Sequence, residues 1–384
     1  MKWPMVPFGE ILRLAPRELV GQKNLPVMSI TMSEGLIDQH EKFKKRIASK
    51  DISTYKVVHF GNLVVGFPID EGVLGFQQRY ESAAVSPAYD IWEISKKHEV
   101  DRGFFERILR SPISRAIYRS KMRGTTNRRR TIPKDVFRKI LFPLPPFAEQ
   151  KRIAKILDAA DALRAKRRES LAQLDTLLQS TFLDMFGDPV TNPKGWEIKP
   201  LGELGTLDRG VSKHRPRNEP SLLGGVHPLI QTGDVSNSGG YIRTYTSTYS
   251  DLGLKQSEMW PAGTLCITIA ANIANTGILT FDACFPDSIV GFSSEEKGRV
   301  EYVQGLFWFF KDILDRKAPQ VAQKNINLKI LRNLPVPFPI IYLQQRFAEI
   351  VEAVEKQKEL HRSHLAELDT LFAALQQRAF NGGL

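Results

Sequence analysis

Two stretches of the chain repeat apolar residues at helical spacing. In the first, Ile153, Ile156, Leu157, Ala160 and Leu163 recur every three or four residues, and Leu171, Leu174, Leu178 and Phe182 or Met185 continue the stripe. In the second, Phe347, Ile350, Val351 and Val354 lead on to Leu365, Leu368, Phe372 and Leu375. This periodicity predicts two amphipathic helices of about 35 residues, roughly 50 Å long at 1.5 Å per residue. A proline segment precedes each, FPLPP (Phe142 to Pro146) and LPVPFP (Leu334 to Pro339), and proline blocks continuation of a helix into the segment before it. Gly187 ahead of Asp188-Pro189, and Asn381-Gly382-Gly383, mark the stops. An exposed apolar stripe of that length needs a partner, either the other helix or the helix's own domain.

The two helical segments are copies of one another. A constant shift of 194 aligns LAQLDTL (Leu171 to Leu177) with LAELDTL (Leu365 to Leu371). The same shift pairs Ile132 with Ile326, Arg138 with Arg332, Pro143 with Pro337, Gln150 with Gln344, Arg152 with Arg346 and Phe186 with Phe380. A shift of 193 aligns the segment openings: Trp3 with Trp196, Pro7 with Pro200, Gly9 with Gly202 and Glu10 with Glu203. The expected architecture is α/β. Two α+β globular domains stand in tandem duplicate, joined by two long antiparallel helices about a pseudo-two-fold. The boundaries read as a first domain over 1–145, a central helical spacer over 146–187, a second domain over 188–339 and a C-terminal helical spacer over 340–384. In that arrangement the helices hold the domain centres roughly one to one and a half DNA turns apart.

Composition narrows the class. The chain has 384 residues, enough for two cores, and 42% hydrophobic with 25% charged residues is ordinary globular usage. Cys266 and Cys284 form no CxxC pair, so no disulfide framework or zinc site is expected, and a reducing cytoplasm is. The first ten residues lack the pattern of a signal peptide. Met259 to Phe281 carries no charge, but Pro261, Gly263, Asn272, Asn275 and Gly277 within it favour buried strands and turns over a membrane span.

The net charge of +12 is unevenly placed. Residues 1–150 carry 26 basic against 16 acidic residues, and Arg102 to Lys139 alone has 13 against 2. Such a field attracts a polyanion, unless it is only a solvated basic surface.

The duplicated P-x-P, EQ/QQ-R-I/F-A and L-A-x-L-D-T-L motifs resemble the specificity subunit of type I restriction-modification enzymes, across essentially the whole chain. The W-x-x-x-P-x-G-E opening of each domain fits the same family. So does the loop before each hinge, RGTTNRRRTI (Arg123 to Ile132) and APQVAQKNIN (Ala318 to Asn327). The second loop has the family's Gln-Lys-Asn-Ile form, whereas the first has an arginine run suited to phosphates. The resemblance implies two target-recognition domains, each reading one half of a bipartite, asymmetric site on double-stranded DNA. It implies helices that set the unread spacer and dock two copies of an adenine methyltransferase subunit using S-adenosylmethionine. For restriction it implies ATP-dependent translocase/endonuclease subunits using ATP and Mg²⁺, with no cofactor in this chain, and a cytoplasmic location.

Three groups are candidates for DNA contact. One is Arg119, Lys121, Arg123, Thr125, Thr126, Asn127, Arg128, Arg129 and Arg130; a second is Gln320, Gln323, Lys324 and Asn325; a third is Lys213, His214, Arg215 and Arg217. Lys and Arg neutralise phosphates, while Arg, Asn and Gln can also pair with base edges. The bland reading of each is a solvated loop.

Catalytic motifs are sparse. Pro145-Pro146-Phe147 lacks the acid or amide that a methyltransferase motif needs, and no GxxxxGK[ST] is present. His361 and His364 form an HxxH without an evident third ligand. The rival reading is a divergent metal-dependent nuclease, in which Asp287 and Glu295 hold Mg²⁺ and Lys297 assists, although PDSIVGF also reads as a buried strand. A third reading is a helical scaffold whose domains bind proteins.

Overall fold

The computed structural model describes residues 3–32, 34–42, 51–95, 98–123, 131–270, 272–317 and 326–384. The chain divides into two compact units, Met1–Arg167 with His364–Leu384, and Arg168–Ser363. Each unit contains one globular domain, the start of the long helix that leaves it and the end of the other long helix.

The long helices are Phe147–Phe186 and Ile341–Phe380, 40 residues each, with boundaries that coincide under the 194-residue shift. They exceed the expected length because they begin directly at the end of each proline segment. Within the first unit, Ile153, Ala154 and Leu157 share a core with Phe372, Ala379 and Phe380. Within the second, Leu178 and Phe182 share one with Phe347 and Val351. Early turns of one helix therefore meet late turns of the other in both units, which makes the paired segments antiparallel.

The first domain is built on an antiparallel sheet in the order Leu12–Leu14, Asp90–Ile94, Leu63–Val65, Leu74–Phe76. Helices Arg102–Leu109 and Pro112–Lys121 follow. Asp101 caps the first by accepting from the Phe104 N–H, and Ser111 caps the second ahead of Pro112 at its first turn. Phe8, Phe105 and Phe142 meet at centroid separations of 4.9 to 5.8 Å, which places the hinge inside the domain core.

The second domain has a different sheet. Its five strands run Thr206–Arg209, Ile289–Ser293, Leu265–Thr268, Thr276–Leu279 and Gly240–Ile242, the last pair parallel. The uncharged stretch from Met259 thus supplies strands, and among the described residues no helix is long and apolar enough to cross a membrane. Phe182 enters this domain against Tyr302 and Phe347, at 5.7 and 5.5 Å. Gly305 makes room for it, since a Cβ there would lie 2.5 Å from the Phe182 ring.

The repeated identities prove to be contact partners. The opening strand of each domain pairs with its own hinge in the same register, Met5 opposite Pro143 and Ile198 opposite Pro337. A Cβ on Gly9 would lie 3.0 Å from Arg138, and one on Gly202 would lie 3.3 Å from Arg332, so glycine and arginine recur together. The Trp3 indole donates to the Ala379 carbonyl at the end of the second long helix, and Trp196 to the Phe186 carbonyl at the end of the first. Helix ends leave carbonyls without intrahelical partners, and each tryptophan satisfies one. Gln150 donates to the Pro145 carbonyl at 2.9 Å and Gln344 to the Pro339 carbonyl at 2.8 Å, both fully buried.

Candidate nucleic-acid interface

The first candidate group begins on the helix Pro112–Lys121. Arg119 and Lys121 lie exposed in its last turn, where basic side chains also complement the helix dipole. Among the described residues Arg119 pairs with Asp70, at 3.4 Å. Arg123 and Thr131 exchange backbone hydrogen bonds of 3.0 and 3.2 Å. Thr125, Thr126, Asn127, Arg128, Arg129 and Arg130 lie outside the described residues.

Shortly after Thr131 in the chain, around Lys134, the fold gathers basic residues that the sequence did not single out. Lys134 pairs with Asp90 at 2.9 Å, and Lys56 donates to the Tyr89 carbonyl at 2.6 Å. Burial, with Lys134 and Arg17 nearby, lowers the Lys56 pKa, although Asp90 opposes this. Arg17, Lys56 and Lys134 come from three separate segments, so no local pattern marks them.

The second group stands at the corresponding place in the sequence. The helix Arg299–Lys317 leads into it, and the chain returns where the Ile326 N–H donates to the Ile269 carbonyl and Asn327 caps the helix Leu328–Arg332. Gln320, Gln323, Lys324 and Asn325 lie outside the described residues. In both domains, then, the candidate loop links a helix to the short helix before the hinge.

The third group is brought together in a way its sequence did not reveal. Gln256 anchors the loop by accepting from the Lys213 and His214 N–H groups, at 3.2 and 3.0 Å. Arg215 donates one Nη to the Ser212 and His214 carbonyls and the other to Asp287, at 3.1 Å. Arg217 donates to the second oxygen of the same carboxylate. Lys213, His214, Arg215 and Arg217 are all exposed.

That arrangement corrects the nuclease reading. Asp287 precedes the strand Ile289–Ser293, and Glu295 and Lys297 follow it. A five-residue strand spans roughly 13 Å at about 3.3 Å per residue, too far for two carboxylates to share one ion. Both Asp287 oxygens are already engaged by arginines. The IVGF part of PDSIVGF lies in a buried strand, the other sense its sequence allowed, and Asp287 stands just before it. Among the described residues one group of three has metal-ligand spacing, Asp38, His40 and Glu41, and Arg79 already bonds both of its carboxylates, at 3.1 and 2.6 Å. His361 and His364 belong to no such group among the described residues.

Comparison with known proteins shows the family to which the chain belongs. The sequence model of the type I restriction modification DNA specificity domain matches residues 79–174 and 193–370. A Methanocaldococcus jannaschii protein assigned by name as the type I restriction enzyme MjaX specificity subunit is 20% identical, over 96% of this chain and 90% of its own length. The type I restriction enzyme EcoBI specificity subunit of Escherichia coli is 24% identical, over 64% of this chain and 58% of its own. Among solved structures, the type I restriction-modification S subunit from M. genitalium has a TM-score of 0.55 at 16% identity, covering 99% of this chain and 96% of that one. A chain from a structure on complex assembly and conformational transition of the type I R-M system has a TM-score of 0.59 at 18% identity, covering 100% and 98%. At these identities the structural likeness speaks to the fold.

Proposed function

The chain belongs to the type I restriction-modification DNA specificity family, and on that premise we propose that each of its domains reads one half of a bipartite, asymmetric DNA site. The long helices set the unread interval and dock two copies of an adenine methyltransferase subunit. The chain itself reads and does not catalyse. Methyl transfer from S-adenosylmethionine belongs to those partners, and ATP- and Mg²⁺-dependent translocation and cleavage belong to further subunits in the cytoplasm.

The observation that carries this reading is a repeated frame bearing unlike readers. The Trp cap, the Gly–Arg contact, the hinge pairing and the Gln–Pro bond all occur twice in matching positions. The sheets and the candidate loops differ between the domains. A duplicated frame suits two identical partners, and diverged domains suit two different half-sites. Lysine and arginine supply affinity through phosphates, while base edges supply discrimination.

Helix length tests the ruler. Inserting one heptad in each long helix should lengthen the unread interval in methylome sequencing and keep both half-sites. New half-site sequences at unchanged spacing would overturn the assignment. A protein-binding scaffold predicts no salt-dependent DNA affinity, and a filter-binding titration over salt concentration separates the two.

A further inference from the structure

Asp287 is a carboxylate surrounded by a basic loop. Its side chain is 32% exposed, beside Arg215 and Arg217 at 53% and 44%. Arg215 is the more engaged of the two: one terminal nitrogen bonds two backbone carbonyls and the other bonds Asp287. Arg217 differs. Among the described residues its bond is to Asp287, through one terminal nitrogen, which tethers the guanidinium while the side chain stays 44% exposed. It also lines a cleft of about 270 Å³ with Asn218, Gln231, Thr232, Pro286 and Ser288.

The chemistry of the pair distinguishes two ligands. A phosphate drawn to Arg217 would lie close to the Asp287 carboxylate and be repelled by it, so this acid weakens a pure backbone contact. A base edge carries no net charge, and a G·C pair presents the cytosine N4 donor beside the guanine acceptors, so the acid repels it less than it repels a phosphate. A guanidinium tethered to an acid loses less freedom on forming a two-bond contact, and the base edge that accepts two parallel N–H groups from arginine is that of guanine, at O6 and N7.

Resting on the reading of the second domain as a DNA half-site reader, we propose that Arg217 reads a guanine in the major groove and that Asp287 is the positioning residue that sets its specificity. Asp287 holds the guanidinium in the reading plane and lowers the loop's affinity for phosphate.

The test selects binders from a randomised duplex DNA library with the full chain assembled with its methyltransferase partner, then measures competition by every single-base variant of the selected site. For Asp287→Asn, preference should fall about tenfold at one G·C position of one half-site. Affinity for unrelated DNA should hold or rise, and the other half-site should keep its preferences. Arg217→Lys, which keeps the charge but loses the fork, should weaken that same position. Thermal unfolding of both variants checks that the fold persists; if Asp287→Asn does not fold, Arg217→Lys alone decides. The proposal is overturned if the affected position is not G·C, if the two variants affect different positions, if discrimination falls evenly across the site, or if nothing changes. A wild-type complex that selects no sequence at all would instead defeat the proposed function.

Discussion

Arg164 forms an ion pair with Asp369 at 2.6 Å, across 205 residues of sequence. Adding the repeat shift of 194 to the base and subtracting it from the acid gives Lys358 and Asp175, and these two pair at 2.7 Å. The local acid recurs as well: Asp161 binds Arg164 and Glu355 binds Lys358, each one turn earlier on the same helix. The duplication therefore preserves a specific antiparallel contact between the long helices, made once in each unit. The two copies differ in burial, with side-chain exposures of 18% for Arg164 and 4% for Lys358.

That difference predicts unequal costs. Lys358→Met removes the buried cation shared by Asp175 and the largely buried Glu355, which keeps Arg243 at 2.8 Å and Arg362 at 3.5 Å, and should cost about 2 kcal/mol in urea unfolding. Arg164→Met leaves two acids that are 44% exposed, so solvent screening reduces its cost to about 1 kcal/mol, including lost packing on the Phe372 ring. Equal costs would contradict the assigned role of burial.

The hinge glutamines give a second comparison. Gln150 bonds the Pro145 and Glu99 carbonyls and accepts from the Asp101 N–H, whereas Gln344 bonds the Pro339 carbonyl and accepts from Arg299 at 3.4 Å. Alanine at either position leaves buried polar backbone unpaired, at about 1–3 kcal/mol. Gln150→Ala should be the more destabilising of the two, because three backbone groups lose their partner. Calorimetric midpoints of the two variants measure it.

Glu106 carries a pH signature. Burial raises its pKa despite bonds from the Phe76 N–H and Arg110. In the interval between the ordinary carboxyl pKa and this raised one, the folded state binds more protons than the unfolded chain. This group's contribution to stability therefore grows as pH falls through the folded pKa towards the unfolded one. Glu106→Gln, which keeps an acceptor for Phe76, should remove that part of the pH dependence and leave the protein at least as stable at neutral pH. Unfolding free energies across mildly acidic pH check the slope.

At the first candidate loop, Arg123→Ala or Lys121→Ala should weaken DNA binding nearly equally on all sequences. Each lost phosphate contact should lower the slope of log affinity against log salt by about 0.9. A variant that changes sequence preference and leaves the slope alone would assign that residue to base reading.

The frame was legible in the sequence because its periodicity and its repeats record the same contacts. Gly9 recurs with Arg138, and Trp3 with the helix end, for packing reasons that a shift in register exposes. The candidate site was less legible. Asp287 and Glu295 are eight positions apart and looked like a pair, yet an extended strand separates them. Asp287 and Arg215 are 72 positions apart and bond directly. The cluster of Arg17, Lys56 and Lys134 was invisible for the same reason. Local spacing reports contacts only where the chain is helical or turns back, and domains made of sheets bring their functional side chains together from distant segments.

The central claim is that one repeated frame carries two independent readers. It is tested most directly by replacing residues 190–330 with the corresponding segment of another specificity subunit and sequencing the methylome of cells that carry the chimera with its methyltransferase. The account predicts a site with one half unchanged, the same spacing, and the other half exchanged for that of the donor. A site altered in both halves would contradict it.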